Sequence, residues 1–148
     1  MIEPTSYAEV IIRLLVSLAF GVVLGFERET KATAAGLRTH ALVALGATIF
    51  TLASIFFSGP NVDMSRIAGQ IVVGIGFIGA GVIYKSQEHI FGLSTAASLW
   101  VAAGLGLLAG IGEFFVGTIA LVLAITVLVG GIYIEQKMLH KKKPAKSF

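Results

Sequence analysis

Apolar residues in this chain gather into five long runs divided by short polar breaks. Each run approaches the ~20 apolar residues that an α-helix needs to cross a bilayer. The pattern predicts helices at Tyr7–Phe26, Thr39–Ser58, Ile67–Tyr84, Leu93–Gly112 and Phe114–Ile134. They are joined by Glu27–Arg38, Gly59–Arg66, Lys85–Gly92 and the single residue Glu113. So short a final link makes the fourth and fifth helices an antiparallel pair. The first run is the least apolar, with Glu9 and Arg13 in its first half. No internal repeat is visible. The expected architecture is an all-α integral membrane protein: a five-helix transmembrane bundle over residues 1–134, followed by a basic tail at 135–148.

Glycine modifies that picture. From Ile67 to Tyr84 the third run has no charge and contains Gly69, Gly74, Gly76, Gly79 and Gly81. In water each glycine costs a helix roughly 1 kcal/mol against alanine. Within a bilayer the backbone satisfies its own hydrogen bonds, and glycine lets neighbouring helices approach closely. At about 100° per residue, Ile71, Ile75, Ile78 and Val82 share one glycine-free face. The pattern predicts that this face meets lipid and that the glycines pack against several partners, with the third helix at the centre of the bundle. Gly21-x-x-x-Gly25 and Gly106-x-x-x-Gly110 carry the same packing signal in the first and fourth helices. Trp100 lies mid-span and is expected to pack inside the bundle. The fifth helix, rich in Val, Ile and Leu, suits an outer, lipid-facing position.

Composition fixes the class. Of the 148 residues, 56% are hydrophobic and 13% charged, against about 25% charged in soluble domains; the mean hydropathy is +0.92. There is no cysteine, so no disulfide, thiol nucleophile or thiolate metal site is available. The net charge of +3 reflects membrane topology rather than nucleic acid. Arg28, Lys31, Arg38, Lys85, Lys137, Lys141, Lys142, Lys143 and Lys146 fall on one side of the predicted bundle and Arg66 on the other. By the positive-inside rule the N-terminus is outside and the C-terminus inside. The basic tail is expected to anchor that topology, the alternative being a second role in binding anionic lipid heads. No basic region precedes the first run, so it is read as part of the mature fold.

Between Thr39 and Ile134 the charged residues are Asp63, Arg66, Lys85, Glu88 and Glu113, all in loops or at helix ends. Proton relays and cation pathways place acidic groups at membrane depth, and magnesium favours oxygen ligands that include carboxylates. The pattern therefore speaks against an ordinary cation transporter. It also offers no catalytic residues, no metal ligands and no cofactor site. The polar residues that remain converge at one boundary. Glu27, Arg28 and Glu29 end the first helix, Arg38, Thr39 and His40 open the second, Ser94 and Thr95 open the fourth, and Lys85 closes the third. Glu27 or Glu29 is expected to pair with Arg38, and Thr39 to cap the second helix. This polar floor reads either as caps and anchors or as a recognition site. At the opposite boundary Asp63 is expected to cap the third helix beside Arg66. Gln70 would be a buried amide in need of a partner across helices. Arg13, with Glu9 and Ser17 on its own stripe, is expected to snorkel to the interface, the alternative being an intramembrane pair with Gln70.

Four motifs in order carry a resemblance: Glu27-Arg28-Glu29, Ala35 to Val43, Arg66 to Ile83, and Gly92 to Trp100. Together they resemble the MgtC/SapB family of bacterial inner-membrane proteins over about Arg13 to Gly112. The family's motif positions map onto Arg28, Gly36, Arg38, Thr39, Asp63, Arg66, Gly76, Gly79, Gly81, Thr95 and Trp100. The resemblance implies a multi-pass cytoplasmic-membrane protein, not an enzyme, linked to adaptation to low magnesium and, in pathogens, to survival inside phagocytes. It implies a regulator acting through other membrane proteins, such as the proton-translocating ATP synthase or a magnesium import system. The alternative is a magnesium or small-solute channel or transporter. Expected partners are the lipid bilayer, such a membrane protein and possible copies of the chain itself, and not nucleic acid. Longer members carry a soluble C-terminal domain, where this chain has only Glu135–Phe148.

Overall fold

Ser6 stands just ahead of the first helix and its hydroxyl accepts from the Glu9 amide at 3.3 Å, the usual service of an N-capping serine. From there α1 runs over Tyr7–Thr30, followed by α2 (Leu37–Phe56), α3 (Ser65–Gly81), β1 (Tyr84–Ser86), β2 (His89–Phe91), α4 (Leu93–Ile111) and α5 (Phe114–His140). This computed structural model describes residues 6–57, 63, 65–87 and 89–140. Glu88 and the tail lysines Lys141, Lys142, Lys143 and Lys146 lie outside the described residues, as does Ser58 at the predicted end of the second helix. The all-α bundle agrees with the pattern. α1, α2, α4 and α5 are long and apolar enough to cross a membrane. α3 is shorter than predicted: 17 residues extend about 26 Å, against a hydrocarbon core of ~30 Å.

The core is built around α2. Along α1, Arg13, Ser17, Gly21, Leu24, Gly25 and Arg28 are buried on one stripe. A Cβ on Gly21 would come within 2.7 Å of the Ala41 Cα, and one on Gly25 within 2.7 Å of the Leu37 Cα. From the other side α4 presents Gly106, where a Cβ would meet the Ala44 carbonyl oxygen at 2.1 Å, and Gly110, where it would meet the Thr51 Cβ at 2.6 Å. Both glycine pairs thus let a neighbour's backbone rest directly on α2. Phe20, Leu24, Ala102, Leu105, Ala109 and Leu121 fill the space between α1, α4 and α5. As its composition predicts, α5 is outermost, with almost none of its spanning residues buried. Gly112 lies beside Arg13 and Gly117 beside Phe20, so α5 runs alongside α1 and antiparallel to α4.

The expectation that α3 is central is overturned. Only Ile75 and Gly79 of this helix are buried, and the predicted stripe points the other way. Ile75, with Ile71 and Val82 packed around it, faces inward onto Ala47, Leu99 and Ala103. The reason lies on the facing helix, where α4 presents small side chains into which the isoleucines insert. A Cβ on Gly79 would lie 3.7 Å from the Ala96 Cβ, whereas one on Gly69, Gly74, Gly76 or Gly81 would meet nothing within 4 Å. Within this chain those four glycines are not helix-packing positions. Trp100 is corrected likewise: it is 55% exposed, on the outer face of α4 beside Val72.

The predicted plain loop between α3 and α4 holds a short antiparallel hairpin, with Tyr84 opposite Phe91 and Ser86 opposite His89. The Tyr84 and Phe91 rings stack at 5.2 Å. Gln87 in its turn has φ 51°, as a two-residue hairpin loop demands. Gly92 then enters α4 at φ +85°, where a Cβ would collide with the Val82 carbonyl oxygen at 2.0 Å. No other residue fits there.

Candidate functional site

The end of α1, the start of α2 and the first turns of α4 form the polar cluster that the sequence anticipates, wired differently. Arg28 is buried and its Nε pairs with the neighbouring Glu27 carboxylate, not with a residue of α2. Glu29 Oε2 accepts from the Leu37 amide at 3.0 Å. A carboxylate from α1 therefore caps α2, where it also meets the positive end of the helix dipole. This explains Gly36: a Cβ there would sit 1.7 Å from Glu29 Oε2 and displace the cap. The expected Thr39 cap is absent, since Gly36 is the N-cap residue and no side chain of α2 itself serves the role. Thr33, which the sequence reading passed over, ties the loop down by lying 3.0 Å from both the Arg28 and Ala35 carbonyl oxygens.

His40 joins the helices. Its Nδ1 lies 2.8 Å from the Gly36 carbonyl oxygen and its Nε2 2.9 Å from Ser98 Oγ. A carbonyl only accepts, so Nδ1 bears the proton; the single proton of Ser98 Oγ is shared between His40 Nε2 and the Thr95 carbonyl oxygen 2.8 Å away. The spacing would suit a histidine activating a serine. Yet His40 is wholly buried, and Ser98 and Thr95 nearly so, so the pair works as a tie between α2 and α4. Arg38 is instead exposed and makes no ion pair among the described residues.

A second polar network was hidden in the first helix. Arg13 is 3% exposed, pairs with Glu9 at 2.5 Å and donates to the Gly110 carbonyl at 2.6 Å. It neither snorkels nor meets Gln70. A cation here complements the C-terminal end of α4. One turn along, Thr48 Oγ1 donates to the Gly106 carbonyl at 2.6 Å and lies 2.7 Å from Ser17 Oγ. The signal was available: Arg13, Ser17, Gly21 and Gly25 recur every four residues, one continuous face of polar and small positions. Asp63 does serve the start of α3, its Oδ1 accepting from the Ser65 amide at 3.0 Å and hydroxyl at 2.6 Å. Those bonds, the hydroxyl first, hold its carboxyl below the usual carboxylate range. Arg66 is 3.9 Å from Asp63 on the surface. Gln70 is exposed rather than buried.

Between α2 and α3 lies an open groove of about 880 Å³. Leu42, Gly46 and Phe50 line one wall and Ile71, Gly74 and Ile78 the other, with Arg38 and Thr39 at one end. Among the described residues no three acidic or histidine side chains gather where a metal ion could be held.

Residues 14–137 match the model of the MgtC family. The chain belongs to the MgtC family. Among curated relatives it is 49% identical over 104 residues to Protein MgtC of Salmonella typhimurium, covering 70% of this chain and 44% of the relative. It is 46% identical over 107 residues to Protein MgtC of Brucella abortus, covering 72% and 44%. With the putative magnesium transporter YhiD of Escherichia coli it shares 39% identity over 128 residues, covering 82% of this chain and 60% of that protein. The chain thus spans about half the length of the curated relatives it matches. No solved structure matches. Family membership together with four long apolar helices makes this a multi-pass protein of the bacterial inner membrane. Of the MgtC-type motif positions, the structure brings Arg28, Gly36 and Thr95 together at the α1–α2–α4 junction. Arg38 and Thr39 go to the groove, and Gly76 and Trp100 to the outer surface.

Proposed function

We propose that the chain works as a non-enzymatic regulator in adaptation to low magnesium, and that it acts by contact with another membrane protein through the outer face of α3. The observation that carries this reading is the open space at Gly69 and Gly76. With the exposed Ala80 they form one outward line at helical spacing. Such a line brings a second helix close, and none of the described residues covers it. Val72 and Val73 flank it and are exposed, offering apolar contacts on either side. In this reading the N-terminus lies outside, and the polar junction with the bases Lys31, Arg38 and Lys85 faces the cytoplasm.

The test is photo-crosslinking in native membranes from a reactive side chain at position 73. The expected result is a crosslink to a different membrane protein, abolished by Gly76→Leu together with the low-magnesium growth phenotype. The absence of such a crosslink in cells that show the phenotype would overturn the proposal. A second reading, magnesium transport, is favoured by the name of the Escherichia coli relative. Flux into liposomes containing the purified chain, set against empty liposomes, separates the two.

A further inference from the structure

The groove between α2 and α3 lies on a different face from the outer line of α3. From Arg38 to Phe50 it follows α2 for about 18 Å. Arg38 is in the first turn of a 20-residue helix, so this end sits at a membrane face. A trench of that length reaches slightly beyond one leaflet of a ~30 Å hydrocarbon core. Beyond that end its walls are apolar except for Gln70 on α3, and Gly46 and Gly74 on opposite walls leave the middle open, with no neighbouring atom within 4 Å of either missing Cβ. At the mouth, Thr39 offers a hydroxyl and Arg38 a guanidinium. The carboxylates that could neutralise Arg38 are occupied, Glu29 by the Leu37 amide and Glu27 by Arg28.

A cation at headgroup level above an apolar trench one leaflet deep complements a lipid with an anionic head. We propose that this groove holds an acidic phospholipid of the adjoining leaflet, with its phosphate on Arg38 and Thr39 and an acyl chain passing between Gly46 and Gly74. Guanidinium binds phosphate oxygens through paired hydrogen bonds.

The experiment uses the full chain in vesicles of equal parts phosphatidylglycerol and phosphatidylcholine, followed by native mass spectrometry of the lipid carried out with the protein. Retention of phosphatidylglycerol in preference to phosphatidylcholine is expected. Arg38→Gln should lower that preference about fivefold. Gly74→Phe and Gly46→Leu, which fill the trench, should remove the bound lipid while the protein stays folded by size-exclusion chromatography. Unchanged lipid retention in all three variants would overturn the proposal. So would unfolding of both filling variants, or a crosslink between cysteines placed at position 46 in two copies of the chain. The crosslink from position 73 reports the opposite face, so the regulator reading and the lipid site fail separately.

Discussion

Glycines on α1 and α4 and glycines on α3 look alike in the sequence and do opposite things in the fold. Gly21, Gly25, Gly106 and Gly110 are spent inside the molecule, each with a neighbour's atoms where its side chain would be. Gly69, Gly74, Gly76 and Gly81 face open space. The first group records contacts already made, and the second a surface that the described residues leave uncovered. In a bilayer the distinction cannot rest on hydrophobicity, because lipid tails are as apolar as a protein interior.

The contrast breaks most sharply at Gly106. Gly106→Leu should cost about 3 kcal/mol or more, because the clash is with the Ala44 backbone and also disrupts the Thr48 bond; loss of a monodisperse folded species in detergent is the readout. Next comes Arg13→Met, which removes the charged donor from the Gly110 carbonyl and the partner from Glu9. It should lower thermal stability by about 2–3 kcal/mol, with Arg13→Lys restoring part of the loss. Gly76→Leu should stay within about 0.5 kcal/mol of wild type in a detergent melt while eliminating the crosslink described above. A large destabilisation there would erase the difference between the two glycine sets.

The smallest effect is at Asp63. Its carboxyl is held low in the folded chain, so its bonds to Ser65 stabilise the start of α3 above the ordinary carboxylate range. They are lost as pH falls through the lowered value. Hydrogen exchange at the Ser65 and Arg66 amides should quicken in acid, and Asp63→Asn should remove that acid dependence.

Most of the helices were legible because apolar run length is nearly sufficient to find them. The glycine pairs of α1 and α4 were legible as contacts, and the outer position of α5 followed from its branched side chains. The placement of α3 was not legible. Its isoleucine stripe was correctly located, but periodicity identifies a face without saying whether lipid or protein lies against it. The polar junction was found as a set of residues and misread as a set of bonds. Glu27, Arg28, Glu29 and Arg38 are close enough in sequence for several pairings. The choice depends on Gly36, whose missing side chain admits Glu29 to the end of α2. Arg13 was recognised beside Glu9 and Ser17 but misplaced at the interface, because its other acceptor is a backbone carbonyl 97 residues away, and a carbonyl has no signature in sequence.

The outer position of α3 also bears on the order in which the protein is made. Residues emerge as α1, α2, α3 and then α4, yet α2 makes most of its contacts with α1 and α4 and far fewer with α3. When α3 has entered the membrane, Ala44, Thr48 and Thr51 still wait for a partner that has not been synthesised. A nascent chain ending at Gly81 therefore has half a core. Translation up to Gly110 supplies the helix whose glycines rest on that surface of α2.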